Sequence, residues 1–322
     1  MEAFLPSSGA AALTASWLLV GLAVGHAAAR RAARGPDLAR ALAWGLTVGG
    51  ALAVDAAALD DAPGFRMVAI ILALLVGMKT VVAVEHAAQG GHPLTFARWN
   101  GFVLLWLGMD PRPFEPRAEG PASGGRALLL GGTAAAILGL AGIALARALA
   151  ASGAPRLVVS ILLLVSLSSA LHFGLLRLLA GFWRLRGVHA RDLFRAPILS
   201  TNLREFWGIR WNLGFHEMTR TAVYRPLAPH VGRANAILAC FVFSGLLHEA
   251  AISRPVKAGY GGPLAYFALQ GTFLLAESAL AARGLGPRGV AGRLWTLVCL
   301  VVPLPLLFHR PFLDGVVLPL AR

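Results

Sequence analysis

Eight apolar runs, each about as long as a membrane is thick, leave this chain few possible folds. A helix needs about 20 apolar residues to cross the hydrocarbon layer, because each residue advances it by about 1.5 Å. The runs are rich in Ala, Leu, Val and Gly and lack the alternation of barrel strands, so we predict an all-α, polytopic membrane helical bundle. The predicted spans are 9–29, 41–59, 66–84, 127–149, 157–176, 234–252, 263–282 and 294–309.

The composition agrees with a membrane location. Only 14% of the 322 residues are charged, against about 25% in a soluble domain. The length suits one bundle, so we predict a single integral-membrane domain over residues 1–322. The first apolar run is too long for a signal peptide, and we expect it to remain as an anchor. Abundant Ala and Gly with only two lysines suggest a GC-rich bacterial genome, and hence a bacterial cytoplasmic membrane.

The net charge of +14 follows a topological pattern. The arginines lie mostly between or at the ends of apolar runs, where they favour the cytoplasmic side and contact lipid headgroups. This placement explains the charge without nucleic-acid binding. The stretch 177–233 holds ten arginines against three acids, so we expect it on the cytoplasmic side, as we do the basic loop 30–40. The loop with Asp60 and Asp61 is expected outside.

The segment 94–109 decides whether this topology is consistent. The loop assignments agree only if it does not cross the membrane, so we predict an interfacial or re-entrant helix with Trp99 and Trp106 near the headgroups. The following stretch, 110–126, has four prolines and three glycines. It is predicted to be a surface loop and a mobile connection.

A polar and aromatic stretch interrupts the apolar pattern at "NLREFWGIRWN". Asn202 followed by Glu205 predicts a capping box and a helix start. A helix from there places Arg204, Trp207 and Trp211 on one side, with Phe206 and Arg210 on another. These residue types are typical of an amphipathic helix at the membrane interface and are also compatible with a substrate site.

Ionisable residues within the apolar runs are the second unusual feature. His248 and Glu249 lie deep in the span 234–252, where such groups face a cavity or the bundle interior. Ser244, four residues earlier, is placed to orient the imidazole. A zinc motif is not formed, because Ile252 stands where HExxH needs its second histidine. A neutral imidazole there serves either structural hydrogen bonding or general-base catalysis.

Other groups compete with His248 or are assigned to packing. Among further intramembrane histidines, at 26, 172 and 309, His172 is the strongest competitor for a functional role. Cys240 and Cys299 lie within apolar runs and are predicted to be packing residues, with no disulfide or metal site.

Three ordered motifs between residues 195 and 255 resemble the wax synthase branch of the membrane-bound O-acyltransferases (MBOAT). They are "LREFWGIRWN" at 203–212, "TRTAVYRPL" at 219–227 and "FVFSGLLHEA" at 241–250. The resemblance implies a bundle with an internal tunnel and acyl transfer from acyl-CoA to the hydroxyl of a lipophilic alcohol. It also implies that acyl-CoA is a co-substrate and that no cofactor is permanently bound.

The resemblance also implies roles for individual residues. His248 corresponds to the family's catalytic histidine, and Asn212, 36 residues earlier, to its asparagine partner. His248 is then the base that deprotonates the alcohol, and Asn212 orients the imidazole or the acyl carbonyl. The residues expected to bind substrate are Phe206, Trp207, Trp211, Tyr224, Arg204, Arg210, Arg220, Ser244 and Glu249.

The sequence leaves the acceptor and two other function classes open. Ile209 stands where plant members carry arginine, and the residues after Asn212 are more polar, so a sterol, terpenoid or polyketide alcohol is an alternative acceptor. An inactive lipid-binding relative is a weaker alternative. From another class, a proton-coupled transporter is compatible with intramembrane ionisable groups. Those groups are His248, Asp55, Glu85, Glu249 and Glu277.

Overall fold

The computed structural model describes residues 2–116 and 122–322, and every regular element in them is helical. This confirms the predicted all-α class. By their internal contacts the residues group into two compact units. Unit 1 comprises Met1–Asp192 and Leu313–Arg322, and unit 2 comprises Leu193–Phe312. That the whole chain forms one integral-membrane domain stays a prediction.

Unit 1 contains seven α-helices among its described residues. They are α1 (Ser8–Ala32), α2 (Pro36–Ala57), α3 (Pro63–Ala88), α4 (Phe96–Leu104), α5 (Gly125–Ala151), α6 (Arg156–Ser168) and α7 (Leu176–Leu185). Helices α1, α2 and α3 pack on one another, and α5 packs on α6 and α7. Proline in the first turn of α2 and of α3 suits a helix start, because that position has no intrahelical N–H bond to lose. Shorter 3₁₀ and π-helical segments complete the unit: Glu2–Phe4, Arg112–Phe114, Ser169–Leu175, Leu313–Val317 and Leu318–Ala321.

Unit 2 combines long helices with short, irregular ones. Its α-helices are α8 (Leu203–Glu205), α9 (Leu213–Thr219), α10 (Arg225–Val231), α11 (Arg233–His248), α12 (Arg254–Val256), α13 (Gly262–Ala282), α14 (Gly289–Val301), α15 (Leu304–Leu307) and α16 (Arg310–Phe312). A 3₁₀ turn, Pro197–Leu199, precedes α8, and three π-helical turns lie between the helices: Phe206–Arg210, Arg220–Tyr224 and Glu249–Ser253.

Eight helical segments of the described chain are long and apolar enough to cross a membrane, and each coincides with a predicted span. Three of them join shorter helices into one run: Arg156–Leu185, Arg233–Val256 and Gly289–Leu307. The hydropathy pattern alone therefore predicted every span, and the chain is a multi-pass integral membrane protein.

The segment 94–109 does not form a spanning helix, as predicted. Its helix, α4, has nine residues and a length of only about 13 Å. Both Trp99 and Trp106 are buried in unit 1, and their predicted position near the headgroups stays a prediction. Trp99 Nε1 donates to the carbonyl oxygen of Leu22 at 2.9 Å. An internal acceptor lets the large apolar indole be buried without leaving its N–H unpaired.

The predicted loop 110–126 is only partly described. Arg112–Phe114 form a 3₁₀ turn, and α5 begins at Gly125. Residues 117–121 lie outside the described residues, so the mobility of this connection stays a prediction.

Candidate active site

Unit 2 encloses a cavity of about 360 Å³, lined only by its own residues. This volume is within the usual range of small-molecule sites. Eight of the eleven residues predicted to form the site line it: Arg204, Trp207, Trp211, Asn212, Arg220, Tyr224, Ser244 and His248. Three separate sequence motifs thus meet at one cavity.

One face of α11 forms a wall of the cavity along its whole length. The lining positions recur every three or four residues, as one face of a helix requires. They are Arg233, Ile237, Cys240, Phe241, Ser244 and His248. The first and last residues of α11 have α-carbons about 22 Å apart, at 1.5 Å per residue. The cavity therefore runs from a guanidinium at one end of the helix to an imidazole at the other.

Two glycines let α11 and α13 approach closely. A Cβ at Gly245 would lie 2.9 Å from Leu264 Cα, and one at Gly271 would lie 3.0 Å from Phe241 Cβ. Neither position has room for a larger side chain without movement of the opposing backbone or ring. The approach brings the Phe267 ring of α13 to 4.2 Å from the His248 ring, between centroids.

The imidazole of His248 is held in one tautomer. Its Nδ1 lies 2.7 Å from the backbone carbonyl oxygen of Ser244, which can only accept a hydrogen bond. Nδ1 therefore carries the proton and Nε2 keeps its lone pair. Ser244 therefore orients the imidazole, as predicted, through its backbone carbonyl, whereas its Oγ donates to the Cys240 carbonyl at 2.9 Å. A serine within a helix commonly bonds back to the carbonyl four residues earlier.

Asn212 presents donors to the cavity. It adopts the left-handed conformation (φ 42°), and its Oδ1 caps α9 by accepting from the Phe215 N–H at 3.2 Å. The two N–H groups of Nδ2 remain as donors. No hydrogen bond joins Asn212 to His248 in the described chain, so of its two predicted roles the geometry favours the one toward a carbonyl.

The first motif is less regular than predicted. Asn202 Oδ1 accepts from the Glu205 N–H at 2.8 Å, which confirms the helix start. The predicted continuous helix is wrong, because α8 gives way at Phe206 to a π-helical turn that ends at Trp211, which is extended. Even so, the predicted face of Arg204, Trp207 and Trp211 lines the cavity.

Three predicted substrate residues are not among those that line the cavity. Phe206 belongs to a buried apolar cluster with Leu274. Arg210 Nε donates to Glu205 at 2.7 Å, and its Nη1 donates to the Arg195 carbonyl. Glu249 Oε1 accepts from the backbone N–H of Leu264 in the first turn of α13. The contacts of these three side chains are internal and structural.

The cavity also contains residues that the motifs did not identify. Arg233, His216, Phe215 and Phe267 all line it. The sequence could have indicated Arg233. Counting back from His248 in steps of three or four residues, the spacing of one helix face, leads to Arg233. Phe267 had no such signal, because its place depends on the packing of α13 against α11.

Each of the three motifs contains or adjoins a π-helical turn. Phe206–Arg210, Arg220–Tyr224 and Glu249–Ser253 are those turns. A π turn adds a residue to the local helix repeat and is frequent at functional sites. The turns therefore change which side chains reach the cavity relative to a plain α-helix.

The carboxylate of Glu205 stabilises the first motif and predicts a dependence on pH. A hydrogen bond from the Thr201 backbone N–H, helped by Arg210, holds the pKa of Glu205 below its usual value of 4.5. A lowered folded-state pKa stabilises the protein above the unfolded pKa and loses this effect as the pH falls through the folded pKa. We expect Glu205→Gln to lower the apparent melting temperature at pH 7.

The same measurement repeated at lower pH provides the check. The difference between wild type and Glu205→Gln is expected to shrink as the pH falls below about 4.5, where the unfolded carboxyl becomes protonated. A difference that stays constant from pH 7 to pH 3.5 would contradict an ionic role for Glu205.

The part of the chain that contains these motifs is similar to a family of known proteins. Residues 190–269 match the sequence model of the membrane bound O-acyl transferase family. The match confirms the predicted resemblance for this part of the chain, which contains both His248 and Asn212.

Proteins from plants are similar to part of the chain. The chain is 41% identical over 73 residues to probable long-chain-alcohol O-fatty-acyltransferase 2 of Arabidopsis thaliana, covering 20% of this chain and 21% of the relative. It is 40% identical over 63 residues to acyl-CoA–sterol O-acyltransferase 1 of the same plant, covering 17% and 18%. It is 35% identical over 71 residues to long-chain-alcohol O-fatty-acyltransferase of Simmondsia chinensis, covering 20% of each. The matched part thus spans about a fifth of each relative.

Proposed function

Because residues 190–269 match the sequence model of the membrane bound O-acyl transferase family, we propose that the protein transfers an acyl group from acyl-CoA to the hydroxyl of a lipophilic alcohol. The observation that carries the proposal is the imidazole of His248, whose unprotonated Nε2 belongs to a residue lining an aromatic cavity. The names of the relatives support the reaction type.

His248 acts as the general base in this proposal. An alcohol is a weak nucleophile at neutral pH and needs a base within hydrogen-bond reach. Nε2 takes the hydroxyl proton as the alcohol oxygen bonds to the thioester carbon. The carbon–sulfur bond then breaks, and the CoA sulfur leaves with the proton that His248 returns. The Ser244 carbonyl, which accepts from Nδ1, stabilises the imidazolium between these steps.

Asn212 stabilises the negative charge that develops on the acyl oxygen. Its Oδ1 is engaged in capping α9, which fixes the side chain and leaves Nδ2 to donate. One such donor in a dry site is worth about 3 kcal/mol at the transition state. Fixing the amide before substrate binds avoids reorganisation during the reaction.

Transfer is direct, without an acyl-enzyme. Formation of a covalent intermediate needs a nucleophile next to a base. The Ser244 hydroxyl bonds to the Cys240 carbonyl, and Cys240 Sγ lies 3.6 Å from the Thr219 carbonyl oxygen. Both groups are held by backbone acceptors, and neither is hydrogen-bonded to the imidazole of His248.

The acceptor is proposed to be a long-chain alcohol, as for wax ester synthesis. Two of the three relatives carry that name and the third a sterol name, so sterol, terpenoid and polyketide alcohols are the alternative acceptors. The test is to incubate the purified protein with mixed acyl-CoAs and a panel of alcohols and to identify the ester by mass spectrometry. An ester of a long-chain alcohol is expected. Bound acyl-CoA with no ester from any alcohol would instead indicate an inactive lipid-binding relative.

The intramembrane acids have structural partners, which does not favour a proton-coupled transporter. Asp55 pairs with Arg66 at 2.5 Å, and Glu85 accepts from Arg40 at 2.7 Å. Glu277 accepts from the backbone N–H of Leu203 at 2.9 Å and from Trp295 Nε1 at 3.1 Å. The fourth acid, Glu249, caps α13.

The location in a bacterial cytoplasmic membrane stays a prediction, because these relatives are plant proteins.

A further inference from the structure

The imidazole of His248 lies among aromatic rings from two other helices of unit 2. Between ring centroids, Phe267 of α13 lies 4.2 Å from it and Phe215 of α9 lies 5.7 Å from it. A ring centre at 4.2 Å is in contact and leaves no room for water between the two rings. Because Nδ1 is bound to the Ser244 carbonyl, the imidazole can take up a proton only at Nε2, beside these apolar rings.

The position of the Phe267 ring depends on the contact of α13 with α11. Phe267 is buried and belongs to the second turn of α13. Leu264, three residues earlier, lies where the two helices touch, since a Cβ at Gly245 would be 2.9 Å from Leu264 Cα. Residues three apart lie on the same side of a helix. Whatever holds Leu264 on α11 therefore also fixes the Phe267 ring.

Glu249, the residue after His248, binds α13 at Leu264. Its Oε1 accepts from the Leu264 backbone N–H at 3.0 Å. In the same turn Pro263 has no N–H, and the N–H groups of Gly262 and Ala265 donate to carbonyls just before the helix. The N–H groups of a first helical turn have no intrahelical acceptor. Glu249 thus supplies from α11 the acceptor that Leu264 needs.

We infer that Glu249 is a positioning residue for the base: it holds the first turn of α13 on α11, so that Phe267 shields the His248 imidazole from water. Water competes with the alcohol for this base. If Nε2 deprotonates water, the water oxygen bonds to the thioester carbon, the carbon–sulfur bond breaks, and the sulfur leaves with the proton as free CoA, beside a free fatty acid. An active site that excludes water prevents such a side reaction.

The inference rests on the proposed function and adds selection against water as the acyl acceptor. It also corrects the role of Glu249, which the sequence predicted to bind substrate. Glu249 acts through α13 and Phe267, whereas Phe267 itself contacts the imidazole.

The test measures how the acyl group is divided between ester and free acid. Phe267→Ala and Glu249→Leu proteins are incubated with acyl-CoA and a long-chain alcohol, and both products are quantified by mass spectrometry. We expect the ratio of acid to ester to rise about tenfold or more in each variant, because water reaches the base. If Glu249→Leu protein does not fold, Glu249→Asp, with a carboxyl one carbon further from Leu264, takes its place. A wild-type ratio in either folded variant would overturn the inference.

Two variants serve as matched controls. Glu249→Gln keeps an acceptor for the Leu264 N–H, and the oxygen that it replaces, Oε2, has no hydrogen-bond partner in the described chain. Phe273→Ala removes the same ring from α13 at a position that does not line the cavity. Both should keep the wild-type ratio of acid to ester. A rise in Glu249→Gln equal to that in Glu249→Leu, or in Phe273→Ala equal to that in Phe267→Ala, would overturn the inference.

A further measurement needs no turnover and separates this inference from the proposed function. Diethyl pyrocarbonate acylates unprotonated imidazoles, and mass spectrometry of peptides gives the rate at each histidine. We expect His248 to react severalfold faster in Phe267→Ala and Glu249→Leu proteins, whereas His172, in unit 1, should react as in wild type. If wild type forms no ester yet His248 shows this difference, the shielding stands and the proposed reaction fails. If wild type forms ester but neither the ratio nor the rate changes, the shielding fails and the reaction stands.

Discussion

Replacement of His248 with alanine is expected to lower the rate of CoA release from acyl-CoA and alcohol by about 10²–10⁴-fold. The variant loses the only lone pair that the Ser244 contact leaves on the imidazole, and water is a weaker base in an apolar cavity. The KM for acyl-CoA should change little, because in the proposed mechanism His248 acts on the hydroxyl of the acceptor. The measurement is steady-state CoA release in detergent with a saturating alcohol.

His172→Ala is the control for this prediction. His172 is also an intramembrane histidine, and its Nδ1 lies 3.0 Å from the Ser168 hydroxyl, but it belongs to unit 1 and does not line the cavity. Its replacement should leave turnover unchanged. If His248→Ala protein remains folded and keeps wild-type turnover, or if His172→Ala is the inactive variant, the base is misassigned.

The sequence predicted the spans and the cavity face better than the local backbone. Each span is a local property, because its length and hydropathy alone meet the requirement of the hydrocarbon layer. The spacing of Arg204, Trp207 and Trp211 also predicted correctly that they share one face. Residues three or four apart stay on nearly the same face whether the turn is α-helical or π-helical. The π turns, in contrast, add a residue to the local helix repeat, and the 3.6-residue spacing of the motifs does not reveal them.

Predictions failed where an internal partner decides the position of a side chain. Trp99 and Arg210 are residue types common at membrane interfaces, but Trp99 bonds to the Leu22 carbonyl and Arg210 to the Glu205 carboxylate. Such partners are distant in sequence or hidden by an unexpected turn. Phe267 was missed for the same reason, because the close approach of α11 and α13 at Gly245 is a tertiary property.

The buried ammonium of Lys79 explains how the non-crossing segment 94–109 is held, and it gives the second large prediction. Lys79 in α3 is fully buried, and its Nζ donates to the carbonyls of Phe102 and Gly108, at 2.7 Å each. It also lies 3.8 Å from the centre of the Phe102 ring. Carbonyls in the last turn of a helix and in the irregular chain beyond it lack intrahelical partners, so one cation satisfies two of them.

Replacing Lys79 with methionine keeps the apolar stem and removes this donor. Each buried carbonyl left unpaired costs about 1–3 kcal/mol, so we expect the apparent melting temperature in detergent to fall by roughly 10 °C. Lys257, the other lysine of the chain, is exposed, and Lys257→Met should melt like wild type. Because the loss should free the chain around Gly108, limited proteolysis is expected to cut Lys79→Met protein between α4 and α5 earlier than wild type. Equal melting of the two variants would mean that packing against α3, and not the ammonium, holds the segment in place.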